Sequence, residues 1–120
     1  MSKITARETQ EFLETLFKNK LTEAERVLEQ LQQKHPEDSR YILALRGIMI
    51  SYVGDDSDSF IYMLFQNKEI WKKRRQLGEK FTELSEKFGA VDRFFVAWAD
   101  VLDIVGKIQP PAKITSPSTD

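Results

Sequence analysis

Apolar residues recur at helical spacing along almost the whole chain, and the interruptions divide it into about six segments. The first runs from about Thr5 to Lys18 and puts Phe12, Leu13, Leu16 and Phe17 on one face. Thr5 and Glu8 form a capping-box pattern, in which each side chain satisfies a free amide at the helix start. Asn19 suits the left-handed backbone that ends a helix. The second helix carries another such pair, Thr22 and Glu25, with an apolar face of Ala24, Val27, Leu28 and Leu31. Pro36 disfavours helical backbone at His35, so this helix is predicted to stop by Lys34. The third starts at Asp38 or Ser39, both good N-caps, and is the most apolar of all. Tyr41, Ala44, Leu45, Ile48 and Tyr52 keep helical spacing, while Leu43, Ile50 and Val53 add apolar surface on other sides. That pattern places it near the centre of the core. Gly47 inside it costs roughly 1 kcal/mol relative to Ala, and its missing side chain leaves room for a neighbouring helix to come close. Gly54 is expected to end it.

The acidic run Asp55, Asp56 and Asp58 is predicted to open a fourth helix, where negative charge interacts favourably with the helix dipole. Phe60, Ile61, Leu64 and Phe65 supply its buried face. A break is expected around Gln66 to Lys68. Phe60, Leu64 and Trp71 share one helical side, whereas Ile70, Leu77, Phe81, Leu84 and Phe88 share another. Met63 is in phase with Ile70, which keeps a single long bent helix open as the alternative. The fifth helix is predicted from about Glu69 to Lys87, closed by Gly89. The sixth runs from about Val91 to Val105, with Val91, Phe94, Phe95, Trp98, Val101, Leu102 and Val105 in phase, and Gly106 ends it. Residues 1–106 thus read as one all-helical domain. Residues 107–120 hold three of the four prolines with several Ser and Thr, and read as an extended or flexible C-terminal tail. No segment reads as a β-strand.

The turn residues Asn19, Gly54 and Gly89 stand 35 positions apart, the spacing of three similar helical hairpins. The fold class is therefore all-α, with three stacked antiparallel hairpins as a repeat array or a compact helical bundle. In the first unit Ala24, Leu28, Leu31 and Pro36, and in the second Gly47, Gly54, Asp55, Ser59 and Met63, fall at the motif spacing of a known unit. On these residues the chain resembles the tetratricopeptide-repeat family, whose unit is a helix-turn-helix of about 34 residues. It departs from that pattern in several places. The family's Trp and Tyr signature positions are missing from the first helix of each unit, and Leu31 stands where Ala is usual. Gln66 and Trp71 replace the small residue and the proline of the second unit. In the third, Phe94 fills the small position, although Trp98 and Val101 are apolar as required. The resemblance spans about residues 5 to 106 and implies protein binding along a concave helical surface.

Composition narrows the function classes. The 120 residues are 41% hydrophobic and 31% charged, which suits one folded domain with a modest core. A formal net charge of -1 gives no global attraction to nucleic acid or acidic lipid, so such binding needs a local patch. There is no cysteine, hence no disulfide, thiolate metal site or cysteine nucleophile. No run approaches the ~18 apolar residues of a membrane span, and the opening residues lack the apolar core of a signal peptide. These features point to a cytoplasmic protein without a membrane partner.

The sharpest local signal is Lys68, Glu69, Ile70, Trp71, Lys72, Lys73, Arg74 and Arg75, five basic residues around one acid. On a continuous fifth helix Lys68, Lys72 and Arg75 line one strip, with Trp71 beside them. Such a strip can grip an acidic peptide, or contact phosphates while the Trp stacks on a base. The plain structural reading is a solvated helix face with Trp71 packed between hairpins. His35 is the only histidine and has no second His or Cys to complete a metal or catalytic set, so it reads as a helix C-cap. Asp55, Asp56 and Asp58 lack the glycine and glutamate that a calcium loop needs. Glu8, Glu11 and Glu14, and likewise Glu23, Glu25 and Glu29, read as solvated faces. No phosphate-cradling loop, nucleophile elbow or zinc motif is present. The reading is a non-catalytic adaptor without a cofactor, binding a protein through Lys68, Trp71, Lys72, Lys73, Arg74 and Arg75. The alternative is a nucleic-acid-associated protein, or ribonucleoprotein or regulatory subunit, using the same patch. The sixth helix has to hide both Phe94 and Phe95, which suggests a homodimer through that helix.

Overall fold

The computed structural model describes residues 3–87, 92–112 and 114. Its described helices are α1 (Ala6–Phe17), α2 (Leu21–Lys34), α3 (Ser39–Val53), α4 (Phe60–Gln66), α5 (Lys68–Lys72), α6 (Arg74–Glu86) and α7 (Arg93–Ile104). No strand occurs among the described residues. The expected roles of Phe88, Gly89 and Val91 lie outside the described residues, as does the tail from residue 115.

The first helix starts as its sequence dictates. The Glu8 amide donates to Thr5 Oγ1 at 3.1 Å, and the Thr5 amide donates to Glu8 Oε1 at 3.0 Å. Asn19 takes a φ of 61°, and its side chain accepts a hydrogen bond from the Tyr52 hydroxyl at 2.6 Å. The second capping box does not form. The left-handed turn at Asn19 lets α2 begin at Leu21 with Lys20 as N-cap, two residues too early for Thr22 to cap it. Gly54 ends α3 with φ -82°, and the left-handed residue is Asp55, at 54°. The acidic run does not cap α4, which starts after Ser59. It forms a turn instead, in which the Asp58 amide donates to Asp56 Oδ1.

The predicted break falls at Asn67, whose backbone is extended and whose side-chain oxygen accepts from the Glu69 and Ile70 amides. A second break was not predicted. At Lys73 the amide is shared between the Glu69 and Ile70 carbonyls, and the expected fifth helix divides into α5 and α6. Seven described helices therefore stand where six were expected, and residues 68–75 do not lie on one straight helix.

α7 packs against α6, α3 and α1, and α3 packs against α2, α4 and α7. The first and last helices thus meet, and the centre is shared by α3 and α7. Phe12, Leu13 and Leu16 of α1, Leu45 and Ile48 of α3, and Val101 and Leu102 of α7 are fully buried in one core. Among the described residues no neighbouring helix comes close to Gly47. A methyl group there would meet no atom beyond its own helix within 4 Å. The segment after α7 returns along α1. The Ala112 amide donates to the Phe17 carbonyl at 2.8 Å, and Ile114 is buried.

Candidate functional site

Three arrangements of side chains stand out. The first is a polar network that clamps α1, α3 and α7. The Tyr41 hydroxyl donates to Asp100 Oδ2 at 2.7 Å and shares a 2.6 Å bond with Thr9 Oγ1. Burial pushes the Tyr41 phenol well above its ordinary value. The Thr9 bond opposes that push and the Asp100 charge adds to it. Burial likewise raises Asp100, against the pull of Tyr41 and Arg93. The Arg93 guanidinium lies over the Tyr41 ring and grips Asp38 through two bonds of 2.9 Å. Asp38 also accepts the Ile4 amide at 2.9 Å. Burial works to raise Asp38, yet its bonds to Arg93 and Ile4 hold it below the usual carboxylate value. Every buried side-chain polar atom among the described residues has a partner, so the buried part of this network is satisfied and fixes how α1, α3 and α7 meet.

The second involves His35, which does more than cap a helix. It is buried at the end of α2, and its Nε2 meets both Glu8 oxygens at 3.0 and 3.1 Å. Lys34 reaches the same carboxylate at 3.1 Å. Partial burial opposes ionisation of Glu8, but the Thr5 amide, His35 and Lys34 outweigh it and hold the carboxyl at about 2. A carboxyl lowered by folding stabilises the fold above its unfolded value near 4.5, and that contribution is lost as pH falls through about 2. The melting temperature of the wild type should therefore exceed that of Glu8→Gln at pH 6, and the gap should close between pH 4.5 and 2. A gap that stays constant over that range would contradict this assignment.

The third is the basic segment. Lys68 opens α5 and Lys72 closes it; Lys73 sits in the break, and Arg75 lies in the first turn of α6. All four are exposed. Trp71 is half-buried on α5, its ring 5.3 Å from that of Phe65. Arg74 lies over the indole at 4.3 Å and donates to the Trp71 carbonyl at 3.0 Å. A Cβ at Gly106 would stand 3.0 Å from the same guanidinium, so a glycine there leaves Arg74 its place against the indole. Trp71 and Arg74 are thus packed into the scaffold, while Lys68, Lys72, Lys73 and Arg75 stay exposed. Among the described residues, Lys34, Arg40, Lys80, Arg93 and Lys107 each pair with a carboxylate. Among the described residues none of the five cations of residues 68–75 does so, and neither do the scattered Lys3, Arg7, Lys18, Lys20, Arg26 and Arg46.

No protein-family model, no curated protein and no solved structure matches the chain. Among the described residues no group of acidic or histidine side chains is placed to hold a metal ion, and no helix is long and apolar enough to cross a membrane.

Phe94 and Phe95, the reason for expecting a contact through the last helix, find partners within the chain. Phe95 stacks on Phe81 with ring centres 6.0 Å apart, and the Arg40 guanidinium lies over Phe94 at 5.4 Å. A groove of about 200 Å³ lies open between α3, α4 and α7, lined by Leu43, Gly47, Phe60, Phe94 and Trp98 among others. Sequence reasoning missed this groove, because no spacing rule marks an apolar position as outward-facing on a helix that is apolar all round.

Proposed function

We propose that the protein is a non-catalytic interaction module, an adaptor built from tetratricopeptide-like helical hairpins, that binds an acidic segment of a partner protein along α5 and the start of α6. The observation that supports this most is the uncompensated charge. Four exposed cations fall within eight consecutive residues with no carboxylate in ion-pair range among the described residues, a density of uncompensated charge that the isolated unpaired cations elsewhere do not reach. Crowded like charges repel, and an anionic partner relieves that repulsion while steering its own approach. Trp71 and Arg74 hold the segment in shape through their mutual stacking, so Lys68, Lys72, Lys73 and Arg75 make the contacts and Trp71 supports them. The pairing of α1 with α2 and of α3 with α4 supports the hairpin reading. Because Arg74 already covers the indole, the base-stacking part of the nucleic-acid alternative loses its main residue.

A fluorescently labelled glutamate-rich peptide and a single-stranded oligonucleotide of equal charge distinguish the two partner classes by anisotropy. The peptide should bind in a salt-sensitive manner, and Lys68→Glu, Lys72→Glu, Lys73→Glu and Arg75→Glu together should weaken it by about a hundredfold or more, since each charge contact contributes on the order of 1 kcal/mol. Preference for the oligonucleotide would move the function to nucleic acid. Equal binding by wild type and the fourfold variant would remove the segment from the function.

A further inference from the structure

The segment that follows α7 joins the two ends of one row of packed side chains. Gly106 leaves α7 beside Arg74, and a Cβ on it would stand 3.0 Å from that guanidinium. Arg74 lies over Trp71, the Trp71 ring meets Phe65, and the Phe65 ring meets Phe17 edge-on. Farther along the segment, the Ala112 amide donates to the Phe17 carbonyl at 2.8 Å. The contacts therefore close into a ring. Residues 106–112 form one side of it, and Arg74, Trp71, Phe65 and Phe17 form the other. The first side is a strap held by few anchors. Pro110 and Pro111 have no amide to donate and do not continue a helix. Among the described residues, the Ala112 bond to Phe17 is the strap's one backbone bond beyond the turn that closes α7. Pro111 and Ile114 are buried and Ile108 is partly so, while Lys107, Gln109, Pro110 and Ala112 are exposed. A segment with so few buried groups opens at lower cost than the core between α3 and α7.

We propose that this C-terminal strap is a conformational switch for the basic segment. Docked on Phe17, it keeps Arg74 against Trp71 and fixes how α5 and α6 present their cations. Released, it frees that corner. Direct contacts carry the coupling. Release of the strap takes the Gly106 backbone from beside Arg74 and breaks the bond at the Phe17 end. Removal of Arg74 in turn takes away the group on which the near end of the strap rests. Coupling between two sites is reciprocal, so a partner that favours the docked arrangement of α5 and α6 also favours the docked strap. Cations held in place bind with less ordering cost, so docking strengthens binding. That consequence for binding rests on the partner reading above, whereas the coupling of strap to Trp71 and Arg74 does not.

Full-length variants approach the ring from its two sides. Ile114→Asp puts a charge where the strap is buried. It is made in a Trp98→Phe chain, which leaves Trp71 as the single tryptophan. Helicity should be retained, Trp71 emission should move to the red, and acrylamide should quench it more. A labelled glutamate-rich peptide should bind this variant about tenfold more weakly than its Trp98→Phe parent. From the other side, Arg74→Ala should speed hydrogen exchange of the Ala112 amide by about tenfold, with the amides of Leu45 and Val101 unchanged. Lys73→Ala, which removes an exposed neighbouring charge, should leave the Ala112 rate as it is in the wild type. A folded Ile114→Asp chain with the parent's Trp71 emission and quenching would overturn the proposal. So would an Ala112 amide that exchanges equally in Arg74→Ala and Lys73→Ala. If Ile114→Asp does not fold, the comparison of Arg74→Ala with Lys73→Ala decides by itself. Coupling seen in emission and exchange, with no peptide bound by the wild type, would uphold the switch and remove the partner reading.

Discussion

Arg93→Leu is expected to destabilise the fold by about 3 kcal/mol or more, the usual cost of removing one partner from a buried ion pair. The Asp38 side chain is only 3% exposed, and Arg93 holds it through both oxygens. Without the guanidinium, that carboxylate would keep only the Ile4 amide. Arg93 also reaches the Ile4 carbonyl and covers the Tyr41 ring, so its loss loosens the joint between the N-terminal segment, α3 and α7. Arg40 serves as the internal control. Its pair with Asp92 is longer, at 3.3 Å, with side chains 57% and 32% exposed. An exposed pair of that kind contributes under about 1 kcal/mol, so Arg40→Leu should move the urea midpoint little. Equal losses in the two variants would show that the Arg93–Asp38 clamp is not the joint described here.

Phe17→Ala should cost about 3–5 kcal/mol, the range for truncating a large buried aromatic. Phe17 is 2% exposed at the C-terminal end of α1. Its ring meets Phe65 of α4 edge-on at 5.5 Å and Tyr52 of α3 at 5.9 Å. The truncation therefore leaves a cavity where three helices converge, and Phe65 in turn supports Trp71 on α5. Urea unfolding of the variant checks the magnitude. A loss below about 1 kcal/mol would mean that the site collapses around the gap and that these helices are joined elsewhere.

The parts of the fold legible in the sequence were those governed by local chemistry. The Thr5–Glu8 box, the left-handed Asn19 and the break beside Asn67 all depend on a few neighbouring residues, and each formed as those residues dictate. The periodic apolar positions Phe12, Leu13, Leu16, Leu28, Leu45, Ile48, Leu64 and Val101 are all buried. The misses were tertiary. The break at Lys73 coincides with Arg74 turning onto Trp71 and Gly106, a residue far along the chain. Asp38 and His35, read as helix-end residues, bond to groups more than twenty-five positions away. Asp100 joined the network unannounced, because nothing in its neighbourhood along the chain distinguishes it from a solvated acid.

The basic segment was visible as composition, but its geometry was not. A single straight helix would have spread Lys68, Lys72 and Arg75 along one strip beside an available Trp71. In the structure the segment is interrupted at Lys73, and Trp71 and Arg74 are engaged with each other while the other four cations stay exposed. That changes which residues are expected to touch a partner, and it shifts the expected loss on binding from Trp71→Ala to the lysines and Arg75.

The most direct test of the account is affinity capture of the tagged chain from its native lysate, with and without nuclease, in parallel with the variant carrying glutamate at residues 68, 72, 73 and 75. The account predicts a protein partner that survives nuclease with the wild type and is absent with the variant. A partner retained equally by the variant, or lost when nucleic acid is digested, would contradict it.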